Sequence, residues 1–472
     1  MRVVLVHPPP ASEFDRHWAR FPVLGLAYLA GALRSQGHDV TLLDGKLAEL
    51  GADQIRDEIV RDPPDLVAIT CMTVEFPMAA RIAEGVKSHI GVPIAIGGAH
   101  VNAVRGGALE ECEHFDFGCV GEGEHLINEL LDALAGDRSM DTIPGLLRRA
   151  GSEVVFNGNR PYPRDYDELP FPAWDLFQLR DQVPILTHRG CPFRCNFCGH
   201  NSGFNARFRS PSNVLEEITQ LVERYRPAVI RFEDETFGLN QRRTKEILRG
   251  ILDLGHHERV RFSAQTRVDR IDEEFVDLLQ AANFETLELG VESGNPIILR
   301  NSGKNITLEQ VERAVGLAKA RGLKVWTKFI LGHPYENVDT IRDTVAYIAK
   351  LNPDQLSVAI MTPFPGTPIH EMAARGEGGY RLLGGGWGSY DKYSSGVLEL
   401  EEVSLGQLKF YQIWCYLNLY LRNGRILDGL RLVCSHRTLA AEMSWGVVRE
   451  FVRTFRKGAS DRGGGAGTLQ HG

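Results

Sequence analysis

The first 150 residues alternate short apolar runs with amphipathic stretches. Val3–His7, Asp39–Asp44, Leu66–Thr70, Pro93–Gly97 and Phe115–Gly121 read as strands, while Phe76–Ile90 and Glu124–Leu134 carry helical periodicity. Continuous apolar strands separated by helices predict a parallel sheet covered on both faces. Residues 1–150 therefore read as a doubly wound, Rossmann-like α/β domain whose ligands meet the carboxyl ends of the strands. Arg160-Pro161-Tyr162-Pro163 and Leu169-Pro170-Phe171-Pro172 break the rhythm, so 151–182 reads as a linker.

A second alternating series follows, with strands at Val183–His188, Ala228–Glu233, Val260–Thr266, Thr286–Glu292, Lys324–Leu331 and Gln355–Met361. Between them lie helical patterns, one opening at a capping-box-like Asn213-to-Glu216 pair. Six βα units over 183–370 predict a partial or complete β/α barrel with its chemistry at the strand carboxyl ends. Residues 371–457 read as a helical cap, in which the stripe Tyr411, Trp414, Leu417 and Leu421 is expected to pack into the core. Gly458 to Gly472 is Gly/Ser-rich and reads as a disordered tail.

Composition narrows the function. The chain has 472 residues, 43% of them hydrophobic, which predicts two to four domains of ~100–200 residues each. Lys and Arg total 53 against 61 Asp and Glu, a net charge of −8, which argues against a general nucleic-acid or anionic-membrane binder. The longest apolar run, Phe21 to Leu33, has 13 residues, short of the ~20 that span a bilayer, so no integral membrane association is expected. The start, Met1-Arg2-Val3-Val4-Leu5-Val6-His7 before three prolines, is a strand with no signal-peptide pattern, and a cytoplasmic location is expected.

Eight cysteines in a chain of this size do not make a disulfide scaffold. Five are scattered, but Cys191, Cys195 and Cys198 fall within eight residues at C-x3-C-x2-C spacing, directly after the first barrel strand. Three thiolates on one short loop can each hold one iron of a cubane cluster and leave the fourth iron open. The alternative is a zinc knuckle with His200 as fourth ligand, but zinc sites usually pair two distant halves and no second half is evident.

Here the chain resembles the radical SAM enzymes. The spacing and the aromatic Phe197 before the last cysteine match, as do later segments in order: Phe232-Glu233-Asp234-Glu235-Thr236-Phe237, Arg267-Val268-Asp269, Leu289-Gly290-Val291-Glu292-Ser293-Gly294 with Gly303-Lys304, Phe329-Ile330-Leu331-Gly332-His333-Pro334-Tyr335-Glu336, and Thr362-Pro363-Phe364-Pro365-Gly366-Thr367-Pro368. The resemblance implies a [4Fe-4S] cluster on Cys191, Cys195 and Cys198, and cleavage of S-adenosylmethionine (SAM) to a 5′-deoxyadenosyl radical. It implies that Phe197, Ile330 and Gly332 meet the SAM adenine and that Arg267 meets its carboxylate. Glu233, Asp234, Glu292 and Ser293 are then candidates for its amine, its ribose and nearby polar contacts.

The first domain resembles the cobalamin-binding domain that precedes the barrel in the B12-dependent members. The matching segments are His7-Pro8-Pro9-Pro10, Leu24-Gly25-Leu26-Ala27-Tyr28-Leu29-Ala30, Gly97-Gly98-Ala99-His100 and Gly121-Glu122-Gly123-Glu124. The resemblance implies cobalamin contacts from Pro9, Asp44, Thr70, Thr73, Gly97, Gly98, His100, Gly121, Glu122, Gly123 and Glu124. Glycines there would let a bulky planar ligand approach the backbone, or would simply make a tight turn. One departure stands out: domains that bind cobalt through a lower histidine carry D-x-H-x-x-G, and here Lys46 and Glu49 take the histidine and glycine places after Asp44.

The expected function is cobalamin-dependent radical C-methylation of a small-molecule substrate such as a secondary metabolite, with an electron donor of the flavodoxin or ferredoxin kind and no nucleic-acid partner. The alternatives are a non-methylating radical dehydratase, cyclase or oxidoreductase whose B12-like domain need not hold cobalamin, and a non-catalytic corrinoid or zinc module.

Overall fold

The computed structural model describes residues 1–11, 21–179, 181–200, 202–393 and 396–435; the segment read as a tail, 458–472, lies outside them. The first domain is built on β1 (Arg2–His7), β2 (Asp39–Asp44), β3 (Leu66–Thr70), β4 (Ile94–Gly97), β5 (Phe117–Cys119), β6 (Leu146–Ala150) and β7 (Glu153–Phe156). They form one sheet in the order β2-β1-β3-β4-β5-β6-β7, parallel through β5 and antiparallel at β6 and β7. The period-two pleat divides its apolar residues between two cores. Val3 and Leu5 pack with the helices Leu24–Ser35 and Gly123–Ala135, whereas Val4 and Val6 pack with Ala52–Arg61 and Phe76–Lys87.

The hairpin β6–β7 carries this sheet past residue 150, into the segment whose prolines begin only at Pro161. The proline-rich stretch beyond it lies packed on the first domain. Ala173 N donates to Ala27 O at 2.9 Å, and Trp174 is buried in the core that continues into the barrel.

The second domain begins with β8 (Gln182–Ile185), followed by the short hairpin of β9 (His188–Arg189) and β10 (Arg207–Phe208), which brackets the cysteine loop. β11 (Val229–Phe232), β12 (Arg261–Thr266), β13 (Phe284–Glu292), β14 (Lys324–Leu331) and β15 (Gln355–Ile360) complete a six-stranded parallel sheet in sequence order, a partial barrel with β8 and β15 at its edges. Phe232, Phe262 and Phe284 stack between its outer face and the helices, with Phe232 and Phe284 centroids 5.7 Å apart. The helix placed by sequence at Asn213 starts earlier, at Pro211. Ser210 is its cap and accepts from Asn213 N at 3.1 Å, because proline suits the first helical position, where no amide hydrogen is needed.

The C-terminal part adds the hairpin of β16 (Tyr380–Leu382) and β17 (Leu398–Leu400), then the helices Leu405–Arg422 and Ile426–Ser435. Leu408, Gln412, Cys415 and Leu419 turn onto the barrel, and Gln412 Nε2 donates to Val358 O at 2.8 Å. The stripe expected in the core does the opposite: Trp414, Leu417 and Leu421 are exposed and Tyr411 is half-buried. The first helix is apolar on two sides, and the barrel has room for only one.

Candidate active site

The cysteine loop is held from several directions. Asn196 N donates to Ser302 O at 3.0 Å, Asn196 Nδ2 to Asn301 O at 2.9 Å, and Ile369 N to Asn196 O at 3.1 Å. Gly303, at φ +71°, has no Cβ because one would lie 2.8 Å from Arg194 O. Cys191 and Cys198 are half-buried and Cys195 is buried. Burial raises the Cys195 thiol pKa, and the cations Lys304 and Arg267 pull it back toward the thiolate. Among the described residues, no three His, Cys, Asp or Glu side chains converge on a point where they could hold a single metal ion. A cubane asks something different, thiolates at separate corners, which three cysteines on one loop can provide.

Arg267 braces this loop. Its guanidinium lies 3.6 Å over the Phe193 ring, donates to Lys304 O at 2.6 Å and to Asp269 Oδ1 at 3.0 Å, and stands 3.9 Å from Cys195 Sγ. Most of the donors expected at the SAM carboxylate are thus already committed to the protein. Asp234 is committed more completely: Oδ1 accepts from Thr187 N at 2.6 Å and His188 N at 3.2 Å, and Oδ2 from Thr187 Oγ1 at 2.7 Å. It staples the end of β8, leaving the neighbouring acids to face the site. Glu233 is exposed and pairs with Arg231, while Glu235 accepts from Gly190 N and keeps Oε2 buried without a partner among the described residues. A buried, unsatisfied carboxylate oxygen beside the cysteine loop suits a cationic group such as the SAM amine.

At the end of β13, Glu292 sits in the left-handed region at φ +72°, with Lys304 Nζ 2.5 Å from its Oε1. Gly290 leaves the space this ion pair occupies. Ser293 turns away into the core and contacts Thr344 Oγ1 at 3.1 Å. Phe197 meets the His333 ring edge-on at 5.9 Å, and Gly332, at φ +93°, donates to Glu336 Oε2 at 2.5 Å. Burial raises the Glu336 pKa to about 8. Ile330, half-buried, lies on the strand leading to this loop. Inside the barrel, Lys328 and Arg231 converge on the buried Glu288, with Lys328 Nζ at 2.6 Å. These lumen charges were legible only as period-two positions of their strands.

In the first domain the carboxyl ends of β1, β2 and β3 meet in a buried ionic cluster. His7 Nδ1 is 3.0 Å from Asp44 Oδ1 and its Nε2 is 3.4 Å from Glu75 Oε1, while Lys46 pairs with Glu75. Burial opposes the charge on His7, but Asp44 and Glu75 outweigh it and raise its pKa to about 9. Lys46 therefore holds the place of a cobalt-binding histidine while tied to an acid that sequence reasoning did not single out. Asp44 Oδ2 has no partner among the described residues, so this edge retains an acceptor for a ligand. Thr73 and His100 are buried together, Nδ1 lying 3.4 Å from Oγ1, with Trp387 edge-on to the His100 ring at 5.1 Å. Gly98, at φ +99°, is required by the protein itself, since a Cβ would press on Thr70 and the Cys71 backbone. Gly121, at φ +95°, faces open space, as a ligand edge requires, and Gly97 lies behind Cys119. Pro9 lies directly beyond the β1 end, against Gly45.

Glu122 and Glu124 are both engaged by arginines of the second domain. Arg189, two residues before Cys191, donates to Glu124 Oε1 at 2.6 Å and lies 3.6 Å from Glu122; Arg207 reaches Glu122 at 2.6 Å. Gly123 makes room for Leu29 as the helix opens. The motif expected on cobalamin thus locks the first domain to the cysteine loop.

The profile of the Radical SAM superfamily matches residues 185–348, and that of the B12 binding domain residues 19–131. The chain is 34% identical over 435 residues to an uncharacterized methyltransferase of Pyrococcus horikoshii, across 89% of this chain and 93% of that protein. It is 29% identical over 385 residues to an anaerobic magnesium-protoporphyrin IX monomethyl ester cyclase of Rubrivivax gelatinosus, across 77% and 68% of the two. The fold matches that of the radical SAM methyltransferase TsrM from Kitasatospora setae, solved with cobalamin and a [4Fe-4S] cluster, at a TM-score of 0.72 and 20% identity over 89% and 88% of the chains. Three cysteines at the head of a six-stranded partial barrel, clamped to a B12-binding domain, place this chain in the radical SAM superfamily, among its B12-binding-domain enzymes.

Proposed function

We propose that the protein is a cobalamin-dependent radical SAM methyltransferase that methylates a carbon of a small organic substrate. When bound, the cluster with SAM supplies a 5′-deoxyadenosyl radical, and cobalamin supplies a transferable methyl group. The net reaction converts a substrate C–H bond and two SAM molecules to a C–CH3 bond, S-adenosylhomocysteine, methionine and 5′-deoxyadenosine. It consumes two electrons, supplied by a flavodoxin- or ferredoxin-class donor. Such a donor and three cluster thiols suit the reducing cytoplasm.

This chain's residues divide the work. Cys191, Cys195 and Cys198 hold the cluster, and Arg267 with Asn196 fixes their loop. Glu235 accepts the SAM amine, and the Glu292–Lys304 pair shapes the polar wall at the end of β13. Phe197, Ile330 and Gly332 border the place for adenine, the Gly332 backbone being held there by Glu336 and Tyr380. The β1–β4 ends with Asp44, Thr70 and Gly121 border the corrin.

The observation that carries the reading is the Arg189 clamp, which joins the cysteine loop to the end of the B12-binding domain. The clamp keeps the strand ends of that domain beside the cluster loop, which supports a reaction that uses both. The similarity to a protein named as a methyltransferase over nearly its whole length supports the same conclusion. The test is turnover with methyl-deuterated SAM and candidate substrates, read by mass spectrometry. Deuterated methyl in the product supports methylation. Turnover to 5′-deoxyadenosine with unlabelled product contradicts it and favours a cyclase-like outcome.

A further inference from the structure

An electron that reaches the cluster from outside must cross the protein wall nearest the three cysteines. That wall is the cysteine loop itself, in which Cys191 and Cys198 are only half-buried. The end of the helix Pro296–Asn301 is bound against it, since Asn196 donates to Ser302 O at 3.0 Å and to Asn301 O at 2.9 Å.

The outer side of this wall is cationic and partly apolar. Arg194, one residue before Cys195, is exposed and extends over the Phe204 ring, its guanidinium 4.5 Å from the centroid. His200 packs on the same ring at 4.3 Å. Ile298 and Leu299 bury the inner face of the helix, while Ile297 and Arg300, three residues apart, share the outer one. Ile297 is 59% exposed and Phe204 41%. Among the described residues neither Arg194 nor Arg300 forms an ion pair. The carboxylates next to the wall are already engaged: Asp269 by Arg267 and Arg270, Glu292 by Lys304, and Asp343 by Asn295.

Arginine beside exposed aromatic and aliphatic side chains is the composition of a protein-binding surface. Two uncompensated arginines on a chain of net −8 select an acidic partner and repel it elsewhere, so the charge both speeds the encounter and orients it. One loop and one short helix make a small surface, which suits the transient encounters of electron transfer.

We propose that Arg194, Phe204, Ile297 and Arg300 form the docking surface for an acidic one-electron donor protein of the flavodoxin or ferredoxin class, with its redox centre over the cysteine loop. The inference rests on the cluster reading above and adds where, and through which residues, the electron enters. At each encounter the donor is oxidised by one electron and the cluster reduced by one; no bond forms or breaks.

The test is stopped-flow reduction of the reconstituted full-length enzyme, followed by absorbance. The reductants are a reduced bacterial flavodoxin, a reduced bacterial ferredoxin, and photoreduced deazaflavin, a small molecule that needs no docking. With at least one protein donor the second-order rate should fall about tenfold or more in Arg194→Glu with Arg300→Glu, and should fall with added salt in the wild type. The donor that shows the effect identifies the class. The deazaflavin rate and the iron content should not change. Arg194→Gln with Arg300→Gln, a milder pair, should lose severalfold and decides the matter where the reversed pair takes up less iron. Protein-donor rates that both pairs leave unchanged overturn the proposal, as does a wild-type enzyme that deazaflavin reduces and neither protein does. A wild-type chain that takes up no iron overturns the cluster reading itself, and the proposal with it.

Discussion

Arg189 Nη2 donates to Glu124 Oε1 at 2.6 Å, joining the strand that leads to Cys191 with the opening of a helix in the other domain. Both side chains are about nine-tenths buried, and Arg189 also lies over the Tyr28 ring at 4.7 Å. Removing Glu124 leaves the buried Arg189 charge with only Glu122, at 3.6 Å, to compensate it, at a cost of up to about 3–5 kcal/mol. Glu124→Ala should therefore lower unfolding stability in urea by that order, while Glu124→Leu with Arg189→Met loses far less. Equal losses in the single and double variants would show that the pair is not coupled.

Gly303 allows the β13 loop to approach the cysteine loop. Gly303→Ala places a Cβ 2.8 Å from Arg194 O at φ +71°, which costs at least ~1–2 kcal/mol locally. Iron and sulfide per chain should fall severalfold after reconstitution, while circular dichroism of the apoprotein stays unchanged. Full iron content in the variant would contradict the docking role assigned to residues 301–304.

Glu235, rather than Asp234, is free to meet the SAM amine. Glu235→Gln should raise the SAM dissociation constant about tenfold, the loss of a charge-assisted hydrogen bond, with iron content unchanged. Asp234→Asn should instead lower thermal stability, because it weakens the acceptor that staples Thr187 and His188. The reverse pattern would restore Asp234 as the ligand-facing acid.

His7 gives the first domain a pH dependence. Its pKa is raised to about 9 from an ordinary 6.5, so the stability it contributes is fully present below pH 6.5 and is lost as pH rises through 9. The decline amounts to about 3 kcal/mol at most. Thermal unfolding of the apoprotein between pH 6 and 10 should show it, and His7→Gln should flatten it. A slope unchanged in His7→Gln would assign the titration elsewhere.

Strand periodicity and the cysteine spacing made both domains and the cluster loop legible in the sequence, since these depend on local pattern. Lys46 with Glu75 and Arg189 with Glu124 depend on residues 29 and 65 positions apart meeting at sheet ends, which no local pattern encodes. Asp234 and Glu235 are adjacent acids at a strand end, and only the loop geometry after β11 decides which one faces inward. The stripe at Trp414 misled because helical spacing shows that residues share a face but not which face the barrel covers.

The central claim is that one chain holds the cluster, SAM and cobalamin together. Anaerobic reconstitution with iron, sulfide and hydroxocobalamin, followed by reduction in the presence of SAM, tests it most directly. The account predicts about four iron and four sulfide per chain, together with one cobalamin and formation of 5′-deoxyadenosine. Cys195→Ala should abolish the cleavage while retaining the cobalamin. A chain that binds zinc instead of iron, or one in which Cys195→Ala cleaves SAM at the wild-type rate, would contradict it.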